Sequence, residues 1–419
     1  MSTYLIQALS GLSHAATLFL VASGLSIIFG VTRIVNFAHG SFYMLGAYMA
    51  YAFGQTLAAH LGGPFGFWAG IVLAAFAAGV AGVLMEVILL RRIYHAPELF
   101  QLLATFGVVL IVQDAALAIW GRDDLFAGRA PGLKGTVEIL GERFPQYHLF
   151  LIGLGPLMLA LLWLLFNRTR WGVLVRAATQ DREMAGALGV NQRRLFTSVV
   201  FLGCALAGLG GALQIPKEAV NLQMDIHIIA EAFVVVVIGG MGSVTGAFLA
   251  ALLVGLLSAF GILIFPQLTL VLTFAVMAVV LMVRPYGLLG KPEVAQRGSA
   301  AQLADLPLRP APGSLRVAAM VLLLVLALLP AFAGDYSQLL VTEILILALF
   351  AASLHFIMSI GGIVSFGHAA YFGLGAYAAG LLMQTLGVPM ALNILAAPLV
   401  AAAVAMLFGF FVLRLSCVY

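Results

Sequence analysis

The sequence predicts an all-α, polytopic membrane protein, a transmembrane helical bundle with about 12 apolar segments and a parallel internal repeat. Three observations lead to this prediction. The 419 residues are 63% hydrophobic and only 9% charged, whereas soluble domains carry about 25% charged residues. Many apolar runs reach the roughly 20 residues that cross a bilayer as a helix. A motif that begins at Ile34 returns at Ile363 without a gap.

The apolar segments follow one another from the N-terminus, and their continuity favours helices over the alternating strands of a membrane barrel. They lie near residues 5–29, 37–57, 65–90, 99–120, 148–166, 195–215, 228–264, 268–283, 315–332, 339–360, 366–386 and 391–413. The seventh is too long for one crossing and is interrupted by the glycine-rich stretch 239–246. We therefore expect two helices joined by this stretch.

Loop charges orient the helices. Residues 168–194 contain six arginines and two acids, a net charge of +4, whereas residues 122–143 contain four basic and four acidic residues. Cytoplasmic loops concentrate lysine and arginine. The first of these loops is therefore expected in the cytoplasm, which puts the N-terminus outside.

The composition divides the chain into three parts. Residues 291–314 form a linker with a soluble composition, rich in Pro, Ala, Gly and Ser, which predicts a flexible cytoplasmic connector. It separates a domain at 1–290 from a second domain at 315–419. The motif IVNFAHGSFYMLGAY at 34–48 recurs as IVSFGHAAYFGLGAY at 363–377 with eight identities. Both copies receive the same predicted orientation, which defines a parallel repeat of the kind found in transporters.

The basic loop RWGVLVRAATQDREMAGALGVNQRRLF is the most informative segment. Its acids stand near the start of a predicted short helix, where the helix dipole favours them. Its small residues form a surface that can dock closely against a partner. An ordinary basic loop is the alternative, and composition does not separate the two. The candidate residues for contact with this partner, which the resemblance described below implies is an ATPase, are Arg176, Asp181, Glu183, Ala185, Gly186 and Gly189.

The candidate residues for a transport pathway are Asn36, His39, Gly239, Gly240, Gly242 and His368. The glycines mark either a broken helix that lines a cavity or close helix packing through the Gly242–Gly246 spacing. For the two histidines, which open helices, capping or interhelical hydrogen bonding is favoured over proton relay. Acids within apolar runs are functional candidates by default, although we expect pairing for most of them: Glu86, Asp114, Glu231 and Glu343.

Several classes of activity find no support in the sequence. The stretch GLLGKPE has Pro292 where a phosphate-binding loop needs Ser or Thr, and no nucleophile elbow or metal-ligand spacing is recognisable. We therefore predict no enzymatic activity, no cofactor and no metal. The basic residues are confined to loops, a pattern of membrane topology that does not predict nucleic-acid binding.

These motifs together resemble a known family. The stretches GLSIIFGVTRIVNFAHGSFYMLGAY, VVVVIGGMGSVTGAFLAALLVG and MVRPYGLLGK resemble the H-type permease of branched-chain amino-acid (Liv-type) ABC importers, over residues 1 to about 291. The basic loop resembles the coupling loop of ABC importer permeases. The stretch GIVSFGHAAYFGLGAYAAG resembles the start of the M-type permease.

The resemblance implies two separate ABC ATPase subunits, a periplasmic solute-binding protein, a second permease half of the M type, an amino-acid substrate and a place in the bacterial inner membrane. It also implies that residues 315–419, which lack a coupling loop, are an incomplete M-type domain. Three alternatives stay open: a urea or short-chain amide ABC permease, an ion-coupled secondary transporter using Asp114 or Glu231, and a passive channel. The basic coupling loop argues against the last two.

Overall fold

The computed structural model describes residues 2–94, 96–264, 266–290, 312–360, 365 and 367–415. Within these ranges the side chains of Glu98, Arg182, Glu183, Leu270 and residues 411–415 are not described. The chain forms two compact units, Met1–Gln296 and Arg297–Tyr419. Residues 291–311 of the predicted linker and the repeat residues Ile363, Val364 and Phe366 lie outside the described residues.

The first unit is helical apart from one β-hairpin. Its helices are α1 (Ser2–Thr32), α2 (His39–Leu61), α3 (Gly63–Ile93), α4 (Glu98–Trp120), α5 (Gln146–Arg168), α6 (Arg170–Gln180), α7 (Arg182–Ala187), α8 (Gln192–Ala212), α9 (Met224–Gly239), α10 (Val244–Ile264) and α11 (Thr269–Val283). The antiparallel strands β1 (Thr136–Ile139) and β2 (Glu142–Pro145) lie between α4 and α5.

Helix α1 forms the centre of the first unit and is buried over almost all of its length from Gly11 to Thr32. Helices α8 and α10 reach it through glycines at which backbones nearly touch. A Cβ atom at Gly255 of α10 would lie 2.6 Å from the carbonyl oxygen of Gly11, and one at Gly203 of α8 would lie 2.8 Å from that of Gly24. Small residues permit such close helix contact within a membrane, so the glycines of this sequence bring the backbones of α8 and α10 against that of α1.

The second unit contains α12 (Gly313–Phe332), α13 (Asp335–Ser359), α14 (His368–Leu386) and α15 (Met390–Leu415). Helices α14 and α15 pack together, and most of the apolar side chains that the structure describes in this unit are exposed. Nine helices of the described residues are long and apolar enough to cross a bilayer: α1, α3, α4, α5, α8, α10, α12, α13 and α15. The prediction of an all-α polytopic bundle is confirmed, and every predicted apolar segment contains a helix, with the seventh divided into α9 and α10.

Candidate functional site

Three side-chain caps divide the basic loop into separate helices. Thr169 accepts a hydrogen bond from the backbone of Gly172 (3.1 Å), Asp181 from that of Met184 (2.9 Å) and Asn191 from that of Arg194 (3.1 Å). Such caps satisfy backbone amides that the first turn of a helix leaves free. Helices α6 and α7, which we call the coupling segment, therefore begin and end at defined residues. The predicted position of Asp181 at a helix start is observed.

The coupling segment presents a different surface from the one its small residues suggest. Ala185 is 4% exposed and faces the core of the unit, and a Cβ atom at Gly186 would lie 2.6 Å from the Gln192 side chain. Met184 (58%) and Leu188 (79%) are large apolar side chains that are exposed. The expectation that Ala185 belongs to an open docking surface is therefore corrected, because its side chain packs inward, whereas Ala187 and Gly189 are exposed beside the two large apolar side chains.

Two side chains attach the coupling segment to membrane-spanning helices. Arg176 donates hydrogen bonds to the carbonyl oxygen of Phe166 and to the side chain of Asn167 at the end of α5. Trp171 donates to the hydroxyl of Ser198 in α8 at 2.7 Å. These hydrogen bonds connect α6 directly to α5 and α8.

A cavity of about 290 Å³, here the inner cavity, lies where α1, α5 and α6 meet the turn between α9 and α10. Its lining combines Ser26 and Gly30 of α1 with Arg176 and Thr179 of α6. The turn contributes Gly242 and Ser243, and the start of α10 contributes Val244 and Thr245. Helix α5 contributes apolar and aromatic side chains such as Trp163. A predicted coupling residue, Arg176, and a predicted pathway residue, Gly242, therefore face the same space.

The glycine-rich stretch forms a tight turn between two helices. Gly240 and Gly242 have positive φ angles of 97° and 83°, a backbone region that favours glycine. A Cβ atom at Gly246 would lie 2.0 Å from the carbonyl oxygen of Gly239, a backbone contact that only glycine permits. The close approach therefore joins Gly239 to Gly246, and Gly242 instead stands beside Gly30 of α1.

The segment that follows α11 is hydrogen-bonded to this turn. The backbone amide of Leu288 donates to Ile238 (2.7 Å) and that of Leu289 to Gly239 (3.1 Å). A Cβ atom at Gly240 would lie 2.3 Å from the backbone nitrogen of Gly290. Two motifs separated by some forty residues thus form one compact structure at the end of the inner cavity.

The motif at 34–48 is buried in the centre of the first unit. Asn36 and His39 are both fully buried. The side chain of Asn36 accepts a hydrogen bond from the backbone of Ala38 (3.1 Å), and His39 donates through Nε2 to the carbonyl oxygen of Val21 in α1 (2.9 Å). Both residues therefore stabilise the connection between α1 and α2, as capping and interhelical bonding would require.

His368 occupies the matching place in the second unit. Its Nε2 atom is 2.7 Å from the hydroxyl of Ser353 in the preceding helix, and its ring lies 5.1 Å from that of Phe350. With the repeat offset of 329, Phe350 corresponds to Val21 of α1 and Ser353 corresponds to Gly24. The repeated histidine thus meets the same turn of the preceding helix in both units.

The acids within the apolar runs differ in their surroundings. Glu86 is fully buried and is ion-paired to Arg91 at 3.0 Å, as expected from the sequence. Glu231 lies 3.2 Å from His14 of α1. Asp114 and Glu343 are exposed.

The acid that sequence reasoning missed is Asp225, which is 1% exposed. It accepts hydrogen bonds from Gln113 (3.0 Å), from Ser41 (3.3 Å) and from the backbone of Ile226 (2.8 Å). It stands just before a strongly apolar run, where composition gives no sign of burial. Its donors come from three helices, so it links α2, α4 and α9.

A second cavity, of about 200 Å³, lies beside the β-hairpin and is here called the outer cavity. Four basic residues line it, namely Arg129, Lys134, His148 and Lys217. Burial lowers the pKa of Lys217, and the carboxylate of Glu218 acts in the opposite direction. Within the described ranges, no group of three or more His, Cys, Asp or Glu residues is arranged to hold a metal ion.

Comparison with known proteins identifies related sequences. The family model described as a branched-chain amino acid transport system permease component matches residues 7–281 and 337–419. The high-affinity branched-chain amino acid transport system permease protein BraD of Pseudomonas aeruginosa is 31% identical over 70% of this chain and 97% of its own length. LivH of Escherichia coli K12 is 28% identical over the same shares. No solved structure matches.

The M-type relative gives a further match. LivM of Escherichia coli K12, also a high-affinity branched-chain amino acid transport system permease protein, is 28% identical over 67% of this chain and 69% of its own length. The two segments matched by the family model fall in the two compact units.

Proposed function

Because the chain belongs to the family of branched-chain amino acid transport permeases, we propose that it imports branched-chain or related amino acids as the membrane-spanning subunit of an ABC importer. Separate ATPase subunits supply the energy. The chain itself performs no catalysis.

The observation that carries this proposal is the inner cavity. Arg176 and Thr179 of the coupling segment face Gly242 and Ser243 of the turn across it. The same segment is hydrogen-bonded to α5 and α8. A partner that pushes on Met184 and Leu188 therefore acts on helices that surround the centre of the unit. This arrangement fits a permease driven from the cytoplasm.

The solute class is supported by the lining of this cavity. Ile27, Leu159, Leu162, Trp163 and Val175 supply apolar surface, which suits an aliphatic side chain. Ser26, Asn167 and Thr179 supply the few polar groups that a solute's amino and carboxylate groups need. Urea, in contrast, offers no apolar surface to this lining.

The partners and location follow the family. We propose two ABC ATPases at the coupling segments of a permease pair in the bacterial inner membrane, with a periplasmic solute-binding protein outside. Arg129, Lys134 and Lys217, which line the outer cavity, suit an acidic contact on the binding protein. Residues 1–290 act as the H-type permease domain, 291–314 as a cytoplasmic linker and 315–419 as the M-type part, whose exposed apolar helices suit contact with further membrane helices.

An ion-coupled mechanism is less well supported. Of its two proposed sites, Asp114 is exposed and Glu231 is paired with His14. The buried Asp225 already accepts three different donors, so it serves as a structural link.

The experiment is uptake of radiolabelled leucine in a strain that lacks its own importer. The chain is expressed with the ATPases, an M-type permease and the binding protein. We expect accumulation that is lost when the ATPases cannot hydrolyse ATP, that survives a protonophore and that excess isoleucine, but not urea, inhibits. Leucine uptake that persists without ATP hydrolysis and collapses with the proton gradient would refute the proposal.

A further inference from the structure

A groove of about 550 Å³ opens between the cytoplasmic end of α3 and the start of α8. Arg91, Arg193 and Arg194 line one part of it, and Val83 and Phe201 line the other. From the groove and its two-part lining, we infer that it binds an anionic phospholipid, with the phosphate at the arginines and the upper acyl chain at the apolar part.

The charge of the groove is fixed by a buried network. Arg91 donates to Glu86 (3.0 Å) and to the hydroxyl of Thr197 (2.7 Å), and Thr197 also contacts Glu86 (3.0 Å). Arg91 is therefore neutralised by a buried carboxylate and held in place. Arg193 and Arg194, both exposed, keep their full charge for an anion from outside the chain.

The apolar part of the groove continues onto a surface suited to lipid. Val80, Leu84 and Val87 of α3 are exposed by 39%, 56% and 41%. The ring of Phe201 is fixed against Phe76 at 5.4 Å. A lipid tail lying there would meet a continuous apolar wall.

The spacing of the two parts matches a lipid and does not suit a soluble partner. Val83 precedes Arg91 by eight residues, and Phe201 follows Arg194 by seven. At 1.5 Å of rise per residue each interval spans roughly 10–12 Å, which is the depth from a headgroup into the acyl region. Basic clefts between helices on the cytoplasmic side are suited to anionic headgroups. An ATPase domain in the cytoplasm reaches the arginines but not this depth.

The test is photo-crosslinking of the full chain in phosphatidylcholine vesicles that contain a minority of phosphatidylglycerol. The photoactivatable group sits high on the acyl chain of either lipid, and labelled peptides are mapped by mass spectrometry. We expect the phosphatidylglycerol probe to label residues 80–91 or 191–201, and the phosphatidylcholine probe to label them far less.

The double variant Arg193→Gln/Arg194→Gln should reduce this labelling about 30-fold at a subsaturating probe concentration, since each arginine near the surface contributes roughly fivefold. The matched control is Arg168→Gln/Arg170→Gln, which removes the same charge from exposed cytoplasmic positions outside the groove and should leave labelling unchanged. If the control variant lost labelling to the same extent, labelling would depend on the total positive charge of the protein and not on the groove, and the inference would be overturned.

Two further outcomes would also overturn it. Equal labelling by both lipids would mean that the arginines do not discriminate between an anionic and a zwitterionic headgroup. Full displacement of the probe by millimolar inorganic phosphate would mean a simple phosphate site, without contribution from Val83 and Phe201. Labelling that resists phosphate and depends on Arg193 and Arg194 supports the lipid.

Discussion

Leu188 is the side chain through which we expect the chain to hold its ATPase partner most strongly. It is 79% exposed at the end of the coupling segment. Fully burying a leucine side chain contributes about 1.5–3 kcal/mol to the free energy of binding. Most of the surface of the Leu188 side chain is exposed and available for burial against a partner. Replacing Leu188 with alanine should therefore weaken ATPase binding by about 1–2 kcal/mol, or roughly five- to thirtyfold.

The matched control is Leu140→Ala, since Leu140 is 73% exposed in the hairpin turn on the opposite face. The dissociation constant of each variant for the purified ATPases is measured in lipid nanodiscs, together with thermal stability. Only Leu188→Ala should change binding, and neither variant should unfold earlier. A dissociation constant for Leu188→Ala within twofold of the control would refute the assignment of this surface. Gly189→Trp is a poorer test, because Gly189 has a φ angle of 87° and a tryptophan there strains the backbone.

Three further predictions concern packing, the buried acid and topology. Gly246→Ala should lower the unfolding temperature by several degrees, because the added Cβ would lie 2.0 Å from a backbone oxygen and overpacking costs about 1–3 kcal/mol. The control Gly54→Ala should leave the unfolding temperature unchanged, because open space surrounds that position. Asp225→Ala should lower the free energy of unfolding by about 1–3 kcal/mol for each buried donor left unpaired. Asp225→Asn should keep ATP-driven uptake. Loss of uptake in a normally folded Asp225→Asn variant would favour ion coupling. A cysteine at Ser2 should react with an impermeant maleimide in intact cells and one at Leu188 only after permeabilisation, and the reverse pattern would contradict the topology.

The sequence predicted the helices because each apolar run is long and continuous, and the break at 239–246 because glycines there permit positive φ angles. It did not predict contacts between distant positions. The sequence alone does not show that Gly246 approaches Gly239 closely and that the Gly242–Gly246 spacing is not the contact. The close approach depends on the conformation of the turn, against which the distant residue Gly290 packs.

The burial of single residues was also beyond the sequence. Ala185 is buried although it lies in a loop of basic and polar composition. Asp225 is buried because donors on α2 and α4, 184 and 112 residues away, converge on it. Positions of this kind depend on tertiary packing, which local pattern does not encode.

The repeated histidine shows what the two halves of the chain share. His39 bonds a backbone carbonyl, beside a position that is Gly24, whereas His368 bonds the hydroxyl that Ser353 supplies at the equivalent position. The acceptor atom therefore differs between the two halves, but each histidine forms a hydrogen bond to the preceding helix. This interhelical hydrogen bond is the feature that both halves retain. Nδ1 of His39 is buried and meets no hydrogen-bond partner among the described residues. The histidine therefore links its own helix to the preceding helix in both halves of the chain.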